Sequence, residues 1–175
     1  MLEGEYQRLP PMKMILHRNT VECNDQSSFK YGQNMYYKAA GFSKIVVFAT
    51  RRDYQKSMEC ANAIVQAALN KGMQMPKPIF KEFDTYSKQL KEWIQALNES
   101  KGNKTIVLVI DNNKESHPIV KLAEALSGVQ TQHLVFDTAF KVARGGHGQT
   151  LENIVHKLNI KAGGMNHLVD FGRNL

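Results

Sequence analysis

The feature that most constrains the fold is a continuous apolar run, Ile106 to Ile110, followed by a polar turn and an amphipathic helix. A run this short and this apolar is typical of a strand buried on both faces, as in a parallel sheet. The turn spans Asp111 to Ser116, and Pro118 suits the start of a helix, where its missing N–H needs no partner. Gly128 is expected to end that helix. The sequence therefore predicts a unit of strand, polar loop and helix.

Two cationic side chains lie at the start of this predicted helix. His117 is at its first turn and Lys121 is one turn further along. The exposed N–H groups and the positive end of the helix dipole make such a helix start a natural anion site. Lysine and protonated histidine add charge-assisted donors. We therefore expect an anion to bind here.

The same alternation of strand and helix continues over most of the chain. The predicted strands are Ile45–Ala49, Ile79–Phe83, Ile106–Ile110 and Gln132–Phe136, and the predicted helices are Asp53–Lys71, Tyr86–Ser100, the helix starting near Pro118, and Thr150–Ala162. Such an order favours βαβ crossovers, and so an α/β fold with a central parallel four-stranded sheet flanked by helices. Ligands of such sheets bind beyond the carboxyl ends of the strands, where the polar turn lies.

Composition narrows the class of protein. The net charge of +7 and the pI of 9.4 favour a polyanionic partner, although a basic domain without such a partner fits the charge equally well. Cys23 and Cys60 are too few and too far apart for a disulfide framework or a zinc site, so we expect a reducing compartment. The chain has neither a bilayer-spanning apolar segment nor the pattern of a signal peptide.

Other motifs point away from catalysis. The glycine-rich segment from Ala143 to Gly148 lacks the context of a dinucleotide or P-loop motif, so we expect a mobile loop. The histidines show no metal-binding spacing, and no nucleophile–base or paired-carboxylate arrangement stands out. No cofactor is predicted, and whether Mg²⁺ assists an anion stays open. The pattern indicates binding.

The last predicted helix carries a polar face. Asn153, Lys157 and Lys161 are spaced four residues apart and therefore share one face. A solvated lysine face explains this spacing as well. However, Lys121, Gln132 and Lys157 come from three successive elements that we expect to converge at one edge of the sheet.

Three segments give the chain a specific resemblance. H-P-I-V-K, then T-Q-H, then Q-T-L-E-N-I-V-H-K-L-N-I-K-A-G-G-M-N resemble the MID domain of an Argonaute protein, over Lys104 to Asn166. The resemblance implies a Rossmann-like domain that anchors the 5′ phosphate of a single-stranded guide RNA. It assigns the phosphate to His117, Lys121, Gln132, His133, Lys157 and Lys161. It assigns the first base to Asn112, Asn113, Lys114, Glu115, Ser116 and His117.

Two positions depart from the family pattern. His117 replaces the tyrosine that stacks on the first base, and His133 replaces a cysteine. The first change is similar to the worm-specific Argonaute branch, whose guides carry a 5′ triphosphate and a 5′ guanine.

The resemblance also implies domain limits and partners. Residues 1–43 are expected to be a linker or N-terminal extension, 44–166 the MID domain, and 167–175 the start of a PIWI region. The slicer residues of the family lie in the PIWI domain, so this chain is not expected to be an enzyme. The expected partners are guide RNA and the PIWI domain of the same full-length chain, without a membrane, in the cytoplasm and/or nucleus. The alternatives are a doubly wound domain for a phosphorylated small molecule and a vestigial interaction module.

Overall fold

Strands and helices alternate along the chain. The structure is a computed structural model that describes residues 12–24, 29–113, 115–145 and 148–171. The strands are β1 (Lys13–Ile15), β2 (Thr20–Glu22), β3 (Lys44–Ala49), β4 (Ile79–Glu82), β5 (Thr105–Asp111), β6 (Gln130–Val135) and β7 (Leu168–Asp170). The helices are α1 (Tyr54–Asn70), α2 (Leu90–Ser100), α3 (Ser116–Ser127), α4 (Phe136–Ala143) and α5 (Gly148–Lys161).

The central element is a parallel four-stranded sheet in the order β4-β3-β5-β6. All seven residues of β5 are buried, as expected of a strand covered on both faces. Side chains of a strand alternate between the faces. Leu108 accordingly packs with residues of α1, α4 and α5, whereas Val107 and Val109 pack with Trp93 of α2 and with α3. The prediction of an α/β, Rossmann-like fold is confirmed.

The helix between β6 and α5 was not predicted. The sequence assigned Phe136 to the end of the last central strand, but β6 ends at Val135 and Phe136 begins α4. Ala139 and Val142 of α4 are buried, which is the three-residue spacing of a helix that faces the core. The structure thus has five α-helices along its described residues, not four. Part of the glycine-rich segment, residues 146 and 147, lies outside those residues.

Helix α2 begins later than predicted. The sequence placed its start at Tyr86, whereas α2 starts at Leu90. The Asp84 carboxylate accepts hydrogen bonds from the Tyr86 backbone N–H and the Ser87 hydroxyl, and these bonds form a turn. Gln89 and Glu92 then form a capping box, which fixes the first turn of the helix.

A small antiparallel sheet lies outside the central one. Its order is β2-β1-β7, and Met14 of β1 is paired with Val169 of β7. Residues 29–43 also contribute to the core, since Tyr36 and Phe42 are buried with α1 and α5. The division into 1–43, 44–166 and 167–175 remains a prediction. Along the described residues, no helix is long and apolar enough to cross a bilayer.

Candidate functional site

The start of α3 lies against the middle of β6. Strands β5 and β6 are in parallel register, with Val109 opposite His133. This register and the turn after β5 bring His117 beside His133, with the two Nδ1 atoms 3.1 Å apart and the ring centroids 5.3 Å apart. The structure therefore brings together the two histidines at which the sequence departs from the family pattern.

A buried carboxylate organises this corner of the fold. The side chains of Asp111 and His133 are only 1% and 5% exposed, and His133 Nε2 lies 2.9 Å from Asp111 Oδ1. Ser116 Oγ donates to Asp111 Oδ2 over 3.0 Å, and the Asn113 backbone N–H donates to Oδ1 over 3.0 Å. Burial raises the pKa of Asp111, but the hydrogen bonds from His133 and Ser116 outweigh it and hold that pKa below its usual value.

This arrangement turns His133 inward. An ionised carboxylate only accepts hydrogen bonds, so the Nε2–H of His133 donates to Asp111. Its second ring nitrogen faces His117. Both ring nitrogens of His133 thus have partners within the protein, Asp111 on one side and His117 on the other. The sequence had placed His133 among the phosphate ligands, a role that stays a prediction.

His117 is exposed at the mouth of the site. Burial lowers its pKa, and the neighbouring His133 and Lys121 lower it further. The imidazole is therefore neutral over a wider pH range than a free histidine. A bound anion would act in the opposite direction, because it favours the charged ring.

Two lysines from different helices converge on β6. Lys121 of α3 donates to the carbonyl and hydroxyl oxygens of Thr131, over 3.3 and 3.2 Å, and Lys161 of α5 donates to the same carbonyl. Burial lowers the pKa of Lys161 to about 8. The Glu124 carboxylate raises this pKa, whereas the nearby charges of Lys121 and Lys157 lower it further. Such a crowded pair of cations gains stabilisation from an anion.

The remaining predicted phosphate ligands lie nearby. Lys157 is exposed on α5, one helical turn before Lys161. Gln132 of β6 is half-buried, and its Nε2 donates to the His133 carbonyl over 3.2 Å. As predicted, Ile154 and Leu158 of α5 are buried, on the side of the helix that faces the sheet.

In the predicted base-reading loop, some side chains are exposed and others are hydrogen-bonded within the protein. Asn112 and Glu115 are exposed. Asn113 Nδ2 donates to the Thr85 carbonyl over 3.2 Å, and Ser116 is buried against Asp111. Lys114 lies outside the described residues. Asn112 and Glu115 are therefore the described loop side chains best placed to meet a base.

Solved structures share this architecture. A crystal structure of Drosophila Piwi matches with a TM-score of 0.78 and 17% identity, over 96% of this chain and 24% of that one. The MID domain of AGO5 from Arabidopsis thaliana matches with a TM-score of 0.62 and 19% identity, over 78% of this chain and 97% of that one. The fold is that of an Argonaute MID domain. The C-terminal lobe of a budding yeast Argonaute also matches, with a TM-score of 0.68 and 14% identity, over 94% of this chain and 38% of that one.

One curated protein is similar to part of this chain in sequence. The Nuclear RNAi defective-3 protein of Caenorhabditis elegans is 38% identical over 64 residues, which are 36% of this chain and 6% of that protein. This similarity supports the resemblance to the worm-specific branch. No family model matches the chain. The chain thus corresponds to a small part of the curated relative and to about a quarter of Drosophila Piwi.

Two acidic partners in this MID fold were missed from the sequence. Asp111 anchors His133, and Glu124 pairs with Lys121, whose Nζ lies 2.5 Å from Glu124 Oε2. The spacing of Lys121 and Glu124 by three residues on a helix could have indicated the second pair. Within the described parts of the chain, no group of three His, Cys, Asp or Glu residues is arranged to hold a metal ion.

Proposed function

We propose that this domain binds the 5′ end of a single-stranded small guide RNA and anchors its 5′ phosphate and first nucleotide for RNA silencing. One observation carries the proposal: Lys121 of α3 and Lys161 of α5 converge on the same Thr131 carbonyl, a short distance along β6 from the exposed His117. These residues coincide with positions that the Argonaute resemblance assigns to the phosphate. The MID fold supports the same assignment.

The mechanism is electrostatic. Lys121, Lys157 and Lys161 supply positive charge from two helices, and the uncharged side-chain amide of Gln132 donates a hydrogen bond to the phosphate. At the start of α3, Glu115 and Ser116 donate their backbone N–H groups to Asn113 and Pro118 has no N–H, so the His117 backbone N–H is the one proposed to face the same anion. His117 stacks on the first base, because an imidazole offers a π-face at the mouth of the site.

The domain binds but does not catalyse. The Arabidopsis structure that it matches is a MID domain on its own, which supports a binding role without slicer residues. A PIWI domain of the same full-length chain is the proposed neighbour, and no membrane takes part. The name of the curated relative connects that protein with nuclear RNAi, and we place the function of this chain in the nucleus and/or cytoplasm.

The test compares RNAs that differ only at the 5′ end. In fluorescence anisotropy at moderate salt, 5′-phosphorylated RNA should bind much more tightly than the same RNA with a 5′ hydroxyl. Lys121→Ala and Lys157→Ala should each weaken binding of the phosphorylated RNA by about 1.5–3 kcal/mol, the scale of hydrogen bonds to charged groups. Lys91→Ala is the control, since this exposed lysine of α2 lies across the sheet from α5.

The same titration separates the alternatives. Equal affinity for the two RNAs would refute anchoring through the 5′ phosphate. A mononucleotide that binds more tightly than the phosphorylated RNA would indicate a domain for phosphorylated small molecules. Absence of binding to either ligand would indicate a vestigial interaction module.

A further inference from the structure

The carboxylate of Glu124 contacts both of the lysines that converge on β6. Glu124 Oε2 lies 2.5 Å from Lys121 Nζ, and Glu124 Oε1 lies 3.9 Å from Lys161 Nζ. The Thr131 hydroxyl donates to Glu124 Oε2 over 2.6 Å and so fixes the carboxylate in this position. The side chain is nevertheless partly exposed, so it can turn outward without leaving a buried charge unpaired.

We propose that Glu124 is a built-in counter-anion of the phosphate site, which holds Lys121 and Lys161 while the site is empty and is displaced by the 5′ phosphate of the guide. The inference rests on the proposed function and adds to it a residue that limits affinity and selects the ligand. A 5′-terminal phosphate carries a charge of about −1.5 to −2 at pH 7, compared with −1 for a carboxylate. A terminal phosphate can therefore replace Glu124 at the lysines, whereas a singly charged internal phosphodiester has no such advantage.

The structure also explains why the pair needs a counter-anion. Lys121 and Lys161 donate to one carbonyl oxygen, so their charges lie close together and repel each other. Glu124 neutralises part of this repulsion in the empty site. When the carboxylate leaves, the phosphate must take over its hydrogen bonds, and an RNA with a 5′ hydroxyl lacks the group to do so.

The experiment removes the competing charge. Glu124→Gln keeps the size of the side chain, and it should make 5′-phosphorylated RNA bind about two- to fivefold more tightly, the scale of a partly exposed ion pair. Binding of the 5′-hydroxyl RNA should change no more than it does in Glu99→Gln. That control removes the same charge from α2, where Glu99 pairs with Lys81 over 2.7 Å on another part of the surface. The gain should shrink in the Lys121→Ala background, because Glu124 then has one lysine fewer to compete for.

Two results would overturn the inference. Unchanged or weaker binding of phosphorylated RNA by Glu124→Gln would mean that Glu124 holds the lysines in place for the phosphate instead of competing with it. An undiminished gain in the Lys121→Ala background would mean that the effect is not exerted through this lysine. If the parent protein itself does not distinguish the two RNAs, the proposed function fails and the inference fails with it.

A measurement on the unmodified protein makes the test independent of the variant's folding. The side-chain carboxyl carbon of Glu124 can be followed by NMR during a titration with 5′-phosphorylated RNA. Displacement predicts that its resonance moves and saturates together with RNA binding, and that the 5′-hydroxyl RNA leaves it in place. A resonance that stays constant at full occupancy of the phosphorylated RNA would refute displacement.

Discussion

Asp111→Asn tests whether the buried carboxylate holds the site together. In the parent protein, Asp111 accepts hydrogen bonds from His133, Ser116 and the Asn113 backbone N–H. Asparagine has nearly the same shape, but it is neutral and offers one acceptor oxygen and one NH₂ group. The NH₂ group must then face a donor that the carboxylate had satisfied. We expect this substitution to lower the stability of the protein and to loosen Asn113 and Ser116, which hydrogen-bond the carboxylate.

The magnitude follows from the contacts. Hydrogen bonds to a charged group contribute about 1.5–3 kcal/mol each, and the retained amide oxygen preserves part of one of them. Because the site is almost fully buried, water cannot replace the lost acceptor. We therefore expect the free energy of unfolding to fall by about 2–3 kcal/mol at pH 7, near the upper end for a single substitution.

The assay is equilibrium unfolding in urea at several pH values, with Asp137→Asn as the control. Asp137 is exposed in α4, so its substitution should have a small effect. The pKa of Asp111 is lower in the folded than in the unfolded protein, where it is near 3.9. The ionised carboxylate therefore stabilises the fold fully above the unfolded pKa, and this stabilisation is lost as the pH falls through the folded pKa. The difference between parent and variant should therefore narrow below about pH 4. A loss of less than about 1 kcal/mol at pH 7, with an unchanged m-value, would refute the role of Asp111.

Two further predictions concern the guide end. Glu115 is exposed in the loop, and its carboxylate can accept from the two donors on the Watson–Crick edge of guanine. Guanosine monophosphate should therefore bind more tightly than uridine monophosphate, and the reverse ranking in a titration would reject this. His117 has a shorter side chain than tyrosine, which leaves room for a 5′ triphosphate. The charge of the triphosphate would raise the lowered pKa of the imidazole. The preference for triphosphorylated over monophosphorylated RNA should therefore grow from pH 8 to pH 6, and it should diminish in His117→Tyr. An unchanged affinity ratio in that variant at both pH values would contradict a role of His117 in selecting triphosphate.

The fold was predictable because burial on both faces leaves a clear pattern. The apolar run of β5 and the amphipathic helices around it specify a parallel sheet from local sequence alone. Helix α4 was missed because Phe136, its first residue, directly follows β6 without a turn residue between them. The pairing of β1 with β7 joins the two ends of the described chain, and no local pattern contains that information.

The sequence indicated which lysines lie together in the candidate site, but it did not indicate their acidic partners. Lys121, Lys157 and Lys161 follow from helical spacing and from the Argonaute resemblance. The partners of Asp111 and Glu124 depend on how β6 packs between α3 and α5, because both carboxylates hydrogen-bond residues of that strand. A sequence shows which side chains can carry charge, whereas the packing decides which of those charges already have a partner.

The segment from Gln149 to Asn166, which resembles the family most specifically, holds the end of α5 in place. Asn159 is fully buried, its Oδ1 accepts from the Ala40 backbone N–H over 2.9 Å, and its Nδ2 donates to Asn166 Oδ1 over 2.9 Å. A Cβ atom on Gly164 would lie 2.2 Å from Asn159 Oδ1, so any larger residue would push the Asn159 amide out of its hydrogen bonds. These contacts fix the end of α5 against residues 38–40 and thereby position Lys161. In this segment the asparagines and the glycine thus hold the helix, and the lysines that it presents are available for the proposed binding of the phosphate.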